Sequence, residues 1–163
     1  MAIPPKLLLT AFLSSALIFN FSNANAATVG YGQHGESISV NKTTGVLNND
    51  LIEVTGKNFD PTVGIYVAMC KVVPAGNLPT PCGGGADKTG KLQASYWISS
   101  NPPPYGRGLA IPFKNNGFDV KLKVSNLIGN LDCRKIACAI YVRADHTRTD
   151  DRSHDIKVPL HFK

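Results

Sequence analysis

The most polar stretch of the chain, Asp145-His146-Thr147-Arg148-Thr149-Asp150-Asp151-Arg152-Ser153-His154-Asp155, holds the residue types from which hydrolytic and metal sites are built. Ser153, His154 and Asp155 are the three members of a hydrolytic triad. Neighbours entering a strand point to opposite faces, however, so these three cannot converge on one reacting atom. His146, His154, Asp150 and Asp151 have the donor chemistry for a divalent cation. Against that, the stretch is nearly balanced in charge and reads more simply as a loop tied by side-chain to backbone bonds and solvated ion pairs. The chain has no Gly-x-Ser-x-Gly elbow, and no carboxylate pair is flanked by features that would raise one pKa. A non-catalytic protein without metal or cofactor is expected. Recognition is the sharper role for the stretch, with Arg148 and Arg152 offering planar forks to a carboxylate or phosphate.

A second group with chemical potential is aromatic. Trp97, Tyr96, Tyr105 and Phe113 bracket a Pro-rich connection that includes Asn101-Pro102-Pro103-Pro104-Tyr105-Gly106-Arg107-Gly108. Such residues either line an apolar ligand cleft or cap one end of a core. The candidate ligand-binding set is therefore Trp97, Tyr105, Phe113, His146, Arg148 and Arg152. Gly83-Gly84-Gly85 lacks the Lys-Ser/Thr partner and strand-to-helix context of a phosphate cradle, and reads as a turn. Lys121 and Lys123, with Asp119 beside them and Lys157 on a later segment, form a stripe that reads first as a solvated face and second as one that would attract anionic wall polymers. No base-stacking aromatics stand among these lysines, so direct nucleic-acid contact is not expected.

The elements that must position these residues are short strands. Ile38 and Val40, Ile52 and Val54, Ile65, Val67 and Met69, Val120, Leu122 and Val124, Ile140 and Val142, and Ile156, Val158, Leu160 and Phe162 each recur with period two, and no long stretch shows helical spacing. Gly, Asn and Pro signals separate them. The pattern predicts an all-β, immunoglobulin-like antiparallel sandwich of about seven strands, with Pro159 at an edge or outward position. Long connections at 73–90 and 99–116 depart from the short-turn pattern and are expected to be ordered.

Residues 1–26 carry the marks of a cleaved signal peptide. Lys6 precedes an apolar run from Leu7 to Phe21, and Ala24-Asn25-Ala26 supplies small residues for cleavage. The run is shorter than the ~20 residues a spanning helix needs, and no second candidate follows, so an exported domain at 27–163 without a transmembrane segment is expected. The formal net charge of +6, from 17 basic and 11 acidic residues, is only modestly basic. One domain, monomeric, is the simplest expectation.

In an oxidising compartment the four cysteines, Cys70, Cys82, Cys133 and Cys138, imply disulfides. Three pairings are open. Cys70 with Cys82 and Cys133 with Cys138 is favoured, because each pair brackets a short segment rich in turn residues. A zinc site would want paired short cysteine spacings that are absent here.

The run Asp132-Cys133-Arg134-Lys135-Ile136-Ala137-Cys138, leading directly into an alternating strand, and a first cysteine pair at the end of another strand resemble the neocarzinostatin family of secreted bacterial proteins. The resemblance covers most of Ile38 to Phe162. It implies two local bridges, a seven-stranded sandwich, and a cleft beside the sheets in which the best-known members hold an enediyne chromophore. Two stretches, Ala94 to Pro103 and Arg143 to Arg148 with Asp151-Arg152-Ser153, are similar to a distinct branch found in exported or envelope proteins of high-GC Gram-positive bacteria, sometimes beside haem-uptake domains. Three roles follow as expectations: an extracellular module for a small-molecule or cell-wall ligand, an antibiotic carrier with DNA-directed action, or an accessory in haem uptake using His146 or Tyr105. No chromophore-contacting residue transfers.

Overall fold

The computed structural model describes residue 1, residues 26–84 and residues 91–163. The expected signal peptide at 1–26 lies, except for residues 1 and 26, outside the described residues, as does Gly85 of the predicted glycine turn. Among the described residues ten strands fall into two four-stranded sheets and one hairpin. The first sheet has the order β1 (Thr28–Tyr31), β2 (Ser37–Val40), β3 (Leu51–Lys57), β6 (Phe118–Lys123); the second has β10 (Ile156–Leu160), β9 (Cys138–Ala144), β4 (Ile65–Lys71), β5 (Ser95–Ile98). β7 (Leu127–Ile128) and β8 (Leu131–Asp132) form the hairpin. Every strand pairing in these sheets is antiparallel. No helix among the described residues is long and apolar enough to cross a membrane.

The period-two residues face inward between the sheets. Ile38, Val40, Ile52, Val54, Ile65, Val67, Met69, Leu122, Ile140, Val142, Ile156, Val158 and Leu160 are all buried in one cluster. Removing such side chains from water is the main term favouring the fold. Pro159 is exposed on β10, an edge strand, where its missing N–H leaves no ladder bond unmade.

β1 has no apolar alternation and was not anticipated from the pattern. Its inward position is Gly30, paired with Ile38, and a Cβ there would lie 2.9 Å from Val158 Cγ2. The glycine lets two edge strands, β1 and β10, close together across the sandwich. At the same end Glu36, 2% exposed, accepts from His34 N at 2.8 Å and lies 3.5 Å from His154 Nδ1, which ties the β1–β2 turn to the polar loop.

Both cysteine pairs are local: Cys70 to Cys82, twelve residues apart, and Cys133 to Cys138, five apart. The connection after β5 doubles back. A short 3₁₀ turn spans Pro104–Gly106, after which Ile111 bridges Ile98 in parallel, with Ser99 N donating to Ile111 O and Ile111 N to Trp97 O, both at 2.8 Å.

Candidate functional site: an aromatic cluster on the outer face of the second sheet

Alternation that sends Ile65, Val67 and Met69 inward must send Tyr66, Ala68 and Cys70 outward. Tyr66 stands in register with Trp97 of β5 on one side and Arg143 of β9 on the other, so three large side chains form a row across the outer face. Further along the same face, Ala68, Cys70, Ala139 and Tyr141 are buried under Val72 and Cys82 of the disulfide-pinned loop. One half of the face is thus roofed, and the other half carries the aromatic row.

Two loops add to that row. The 3₁₀ turn at Pro104–Gly106 delivers Tyr105, and Gly106 allows the approach: a Cβ at that position would lie 2.3 Å from Trp97 Cη2. The second loop begins at Asp145, which caps a 3₁₀ turn over His146–Arg148 by accepting from Thr147 N at 2.9 Å and Thr147 Oγ1 at 2.6 Å. The other carboxylate oxygen accepts from Trp97 Nε1 at 2.8 Å. Asp145 is 2% exposed and fits only because residue 64 is glycine, where a Cβ would come within 2.0 Å of Oδ2. The buried charge is therefore met by charge-assisted bonds, and the indole plane is fixed by a side chain from another loop.

His146 lies between two phenols. Tyr66 OH is 2.5 Å from Nδ1, and Tyr105 OH is 2.8 Å from Nε2. A neutral imidazole has one donor and one acceptor nitrogen, so one phenol donates to the ring while the other accepts from it. The ring meets Trp97 edge-on at 4.9 Å between centroids. Tyr66 and Trp97 are 6.1 Å apart, and Trp97 and Tyr105 6.5 Å. Burial, and next the Asp145 carboxylate, push the Tyr66 phenol above its ordinary pKa, which keeps it neutral. Tyr105 remains 65% exposed, so the cluster opens to solvent on that side.

Arg143 stacks over the Tyr66 ring with its guanidinium carbon 5.1 Å from the centroid. Its Nη1 donates a long 3.4 Å hydrogen bond to Ala144 O. Burial first, and then neighbouring Arg152, depress its pKa from the ordinary arginine value. Arg152 itself is committed elsewhere: it donates to Thr149 O at 2.8 Å and pairs with Asp155 at 3.1 Å.

Of the six residues expected at a ligand site, Trp97, Tyr105 and His146 come together. Phe113 lies in the core, stacked on Phe59 at 6.1 Å. Arg148 is exposed on the loop, and Arg152 is occupied with Asp155. The polar loop ties itself as its composition suggests: Asp151 Oδ1 accepts from Ser153 N and Oγ at 2.9 and 2.6 Å, which hold its carboxyl below the usual range. His146 and His154 have different partners, and no group of three or more His, Cys, Asp or Glu among the described residues could hold a metal ion. Tyr66, Asp145 and Arg143 were not singled out from the sequence. The signals were there in weak form: a tyrosine at an outward strand position, and an Asp-x-Thr cap directly after a strand.

Two antiparallel sheets around one core, with two local disulfides, define a neocarzinostatin-like β-sandwich. Among solved structures the chain is similar to macromomycin, covering 79% of this chain and 100% of that one at 16% sequence identity and a TM-score of 0.50. The likeness is a distant one of fold. No protein-family model matches the chain, and no curated protein matches it.

Proposed function

We propose that this chain is a non-catalytic binding module, exported after cleavage near Ala26, which holds a small planar ligand on the outer face of its second sheet. The observation that carries the reading is the convergence of Tyr66, Trp97, Tyr105 and His146 from four separate segments, with every polar end bonded and Tyr105 left open to solvent. Rings held in place before binding lose little conformational entropy when a flat ligand stacks on them. The carrier-like fold supports small-molecule binding in the same direction. Antibiotic carriage with DNA-directed action rests on the shared fold alone, and none of the residues described is assigned to it.

One observation favours haem as the ligand in particular. Tyr105 combines an exposed phenol with a 2.8 Å contact to His146 Nε2, so Tyr105 would be the residue to ligate a haem iron and the imidazole would be placed to accept its phenolic proton.

Both readings are tested on protein purified from the culture medium of its own host, by intact mass under native conditions and by absorbance. A bound molecule lost on denaturation is expected. Bare polypeptide mass with featureless absorbance, together with failure of added haemin to give a Soret band that Tyr105→Phe removes, would overturn them.

A further inference from the structure

We infer that the ligand of this aromatic cluster is an anion, a flat aromatic carrying a carboxylate, sulfonate or phosphate, whose acidic group is received by Arg143. The inference rests on the reading of the outer face as the ligand site and adds the charge of what binds there.

Arg143 is half-buried, so its guanidinium has lost part of its hydration and an incoming anion is favourable. Among the described residues no carboxylate lies within ion-pair distance of it, whereas the carboxylates around it are engaged. Asp145 accepts from Trp97 and Thr147, Asp155 is paired with Arg152, and Asp151 accepts from Ser153. Arg143 is thus the guanidinium beside the open rings that has no ion pair among the described residues, while Asp145 and Asp155 act on it only at longer range, and it sits on the Tyr66 ring. Held over the Tyr66 ring, the guanidinium offers a planar fork that can meet two oxygens of one acidic group. A ligand with a flat body over Trp97 and Tyr105 and an acidic edge directed across Tyr66 would satisfy both halves of the row.

Trp97 is the one tryptophan of the chain, so its emission reports on this site directly. Two probes of nearly the same shape separate charge from stacking: 1-anilinonaphthalene-8-sulfonate, which is anionic, and N-phenyl-1-naphthylamine, which is neutral. With the exported domain, the sulfonate is expected to quench Trp97 with an affinity at least tenfold above that of the neutral probe. Arg143→Met should lower sulfonate affinity about tenfold and leave the neutral probe unchanged, while Arg143→Lys should recover part of the loss. Far-UV circular dichroism checks that each variant is folded. Equal quenching by both probes, unaffected by Arg143→Met, would overturn the anionic assignment and leave the ligand-site reading standing. Quenching by neither probe would overturn both.

Discussion

The two outer faces of the sandwich are built from the same alternating pattern, yet they differ in kind. On the first sheet, Glu53 of β3 faces Lys121 of β6 across the register, with 3.2 Å between their charged atoms, and Thr55 Oγ1 donates to Asp119 at 2.7 Å. Both members of that ion pair are more than half exposed, so the face is a solvated one worth little to stability. On the second sheet the corresponding positions carry Tyr66, Trp97, Arg143, Ala68 and Tyr141, and loops fold over them. An outward position in a strand is therefore a surface only where nothing returns to cover it.

The contrast is broken most directly at the roof. Replacing Cys70 and Cys82 together by serine should cost about 3 kcal/mol in the chain-entropy model for a loop of this length, read as a shift of the urea midpoint. A loss below about 1 kcal/mol would mean the second face does not depend on its cover. Next in size is Asp145→Ala, which leaves the Trp97 indole N–H and the Thr147 donors without their acceptor. About 2 kcal/mol of destabilisation is expected, together with a shift in Trp97 emission.

The acid titration of two carboxyls sharpens the comparison further. Asp132 is held at about 2, below its ordinary 3.8, first by the Arg134 side chain and then by Arg134 N. Its contribution to stability is complete above 3.8 and is lost as pH falls from there toward about 2. Asp155, beside the second sheet, is pushed the other way, chiefly by burial. For that group the native state binds the proton more tightly, so stability rises as pH falls through its folded value and levels off below 3.8. Carboxyl carbon chemical shifts measured against pH should show the two moving to opposite sides of 3.8. Both moving to the same side would contradict the assigned environments. The smallest effect belongs to the first face, where a double-mutant cycle on Glu53 and Lys121 should give a coupling under about 0.5 kcal/mol. A value above about 1 kcal/mol would erase the distinction between the faces.

The core was legible because period-two alternation is a local signal that survives in the sequence. Ile52 and Val54, or Ile156, Val158 and Leu160, declare their face without reference to any partner. β1 was not legible, since its core-facing position is Gly30 and a glycine leaves no apolar mark. Phe113 illustrates the opposite ambiguity. An aromatic after a Pro-rich connection suits a cleft or a core equally well, and only its stacking on Phe59, which in turn meets Phe118, decides which.

The same division runs through the candidate site. Sequence alone marked Trp97, Tyr105 and His146 as candidates, the local pairing of the cysteines, and the self-tied character of the polar loop, because each depends on residue type and short spacing. That Tyr66 and His146 meet, that Asp145 anchors the indole, and that Arg143 has no carboxylate within ion-pair distance among the described residues depend on strand register and on where two loops return. Those contacts join residues as far as 80 positions apart. They are selected by the packing of the whole sandwich, which no local pattern encodes.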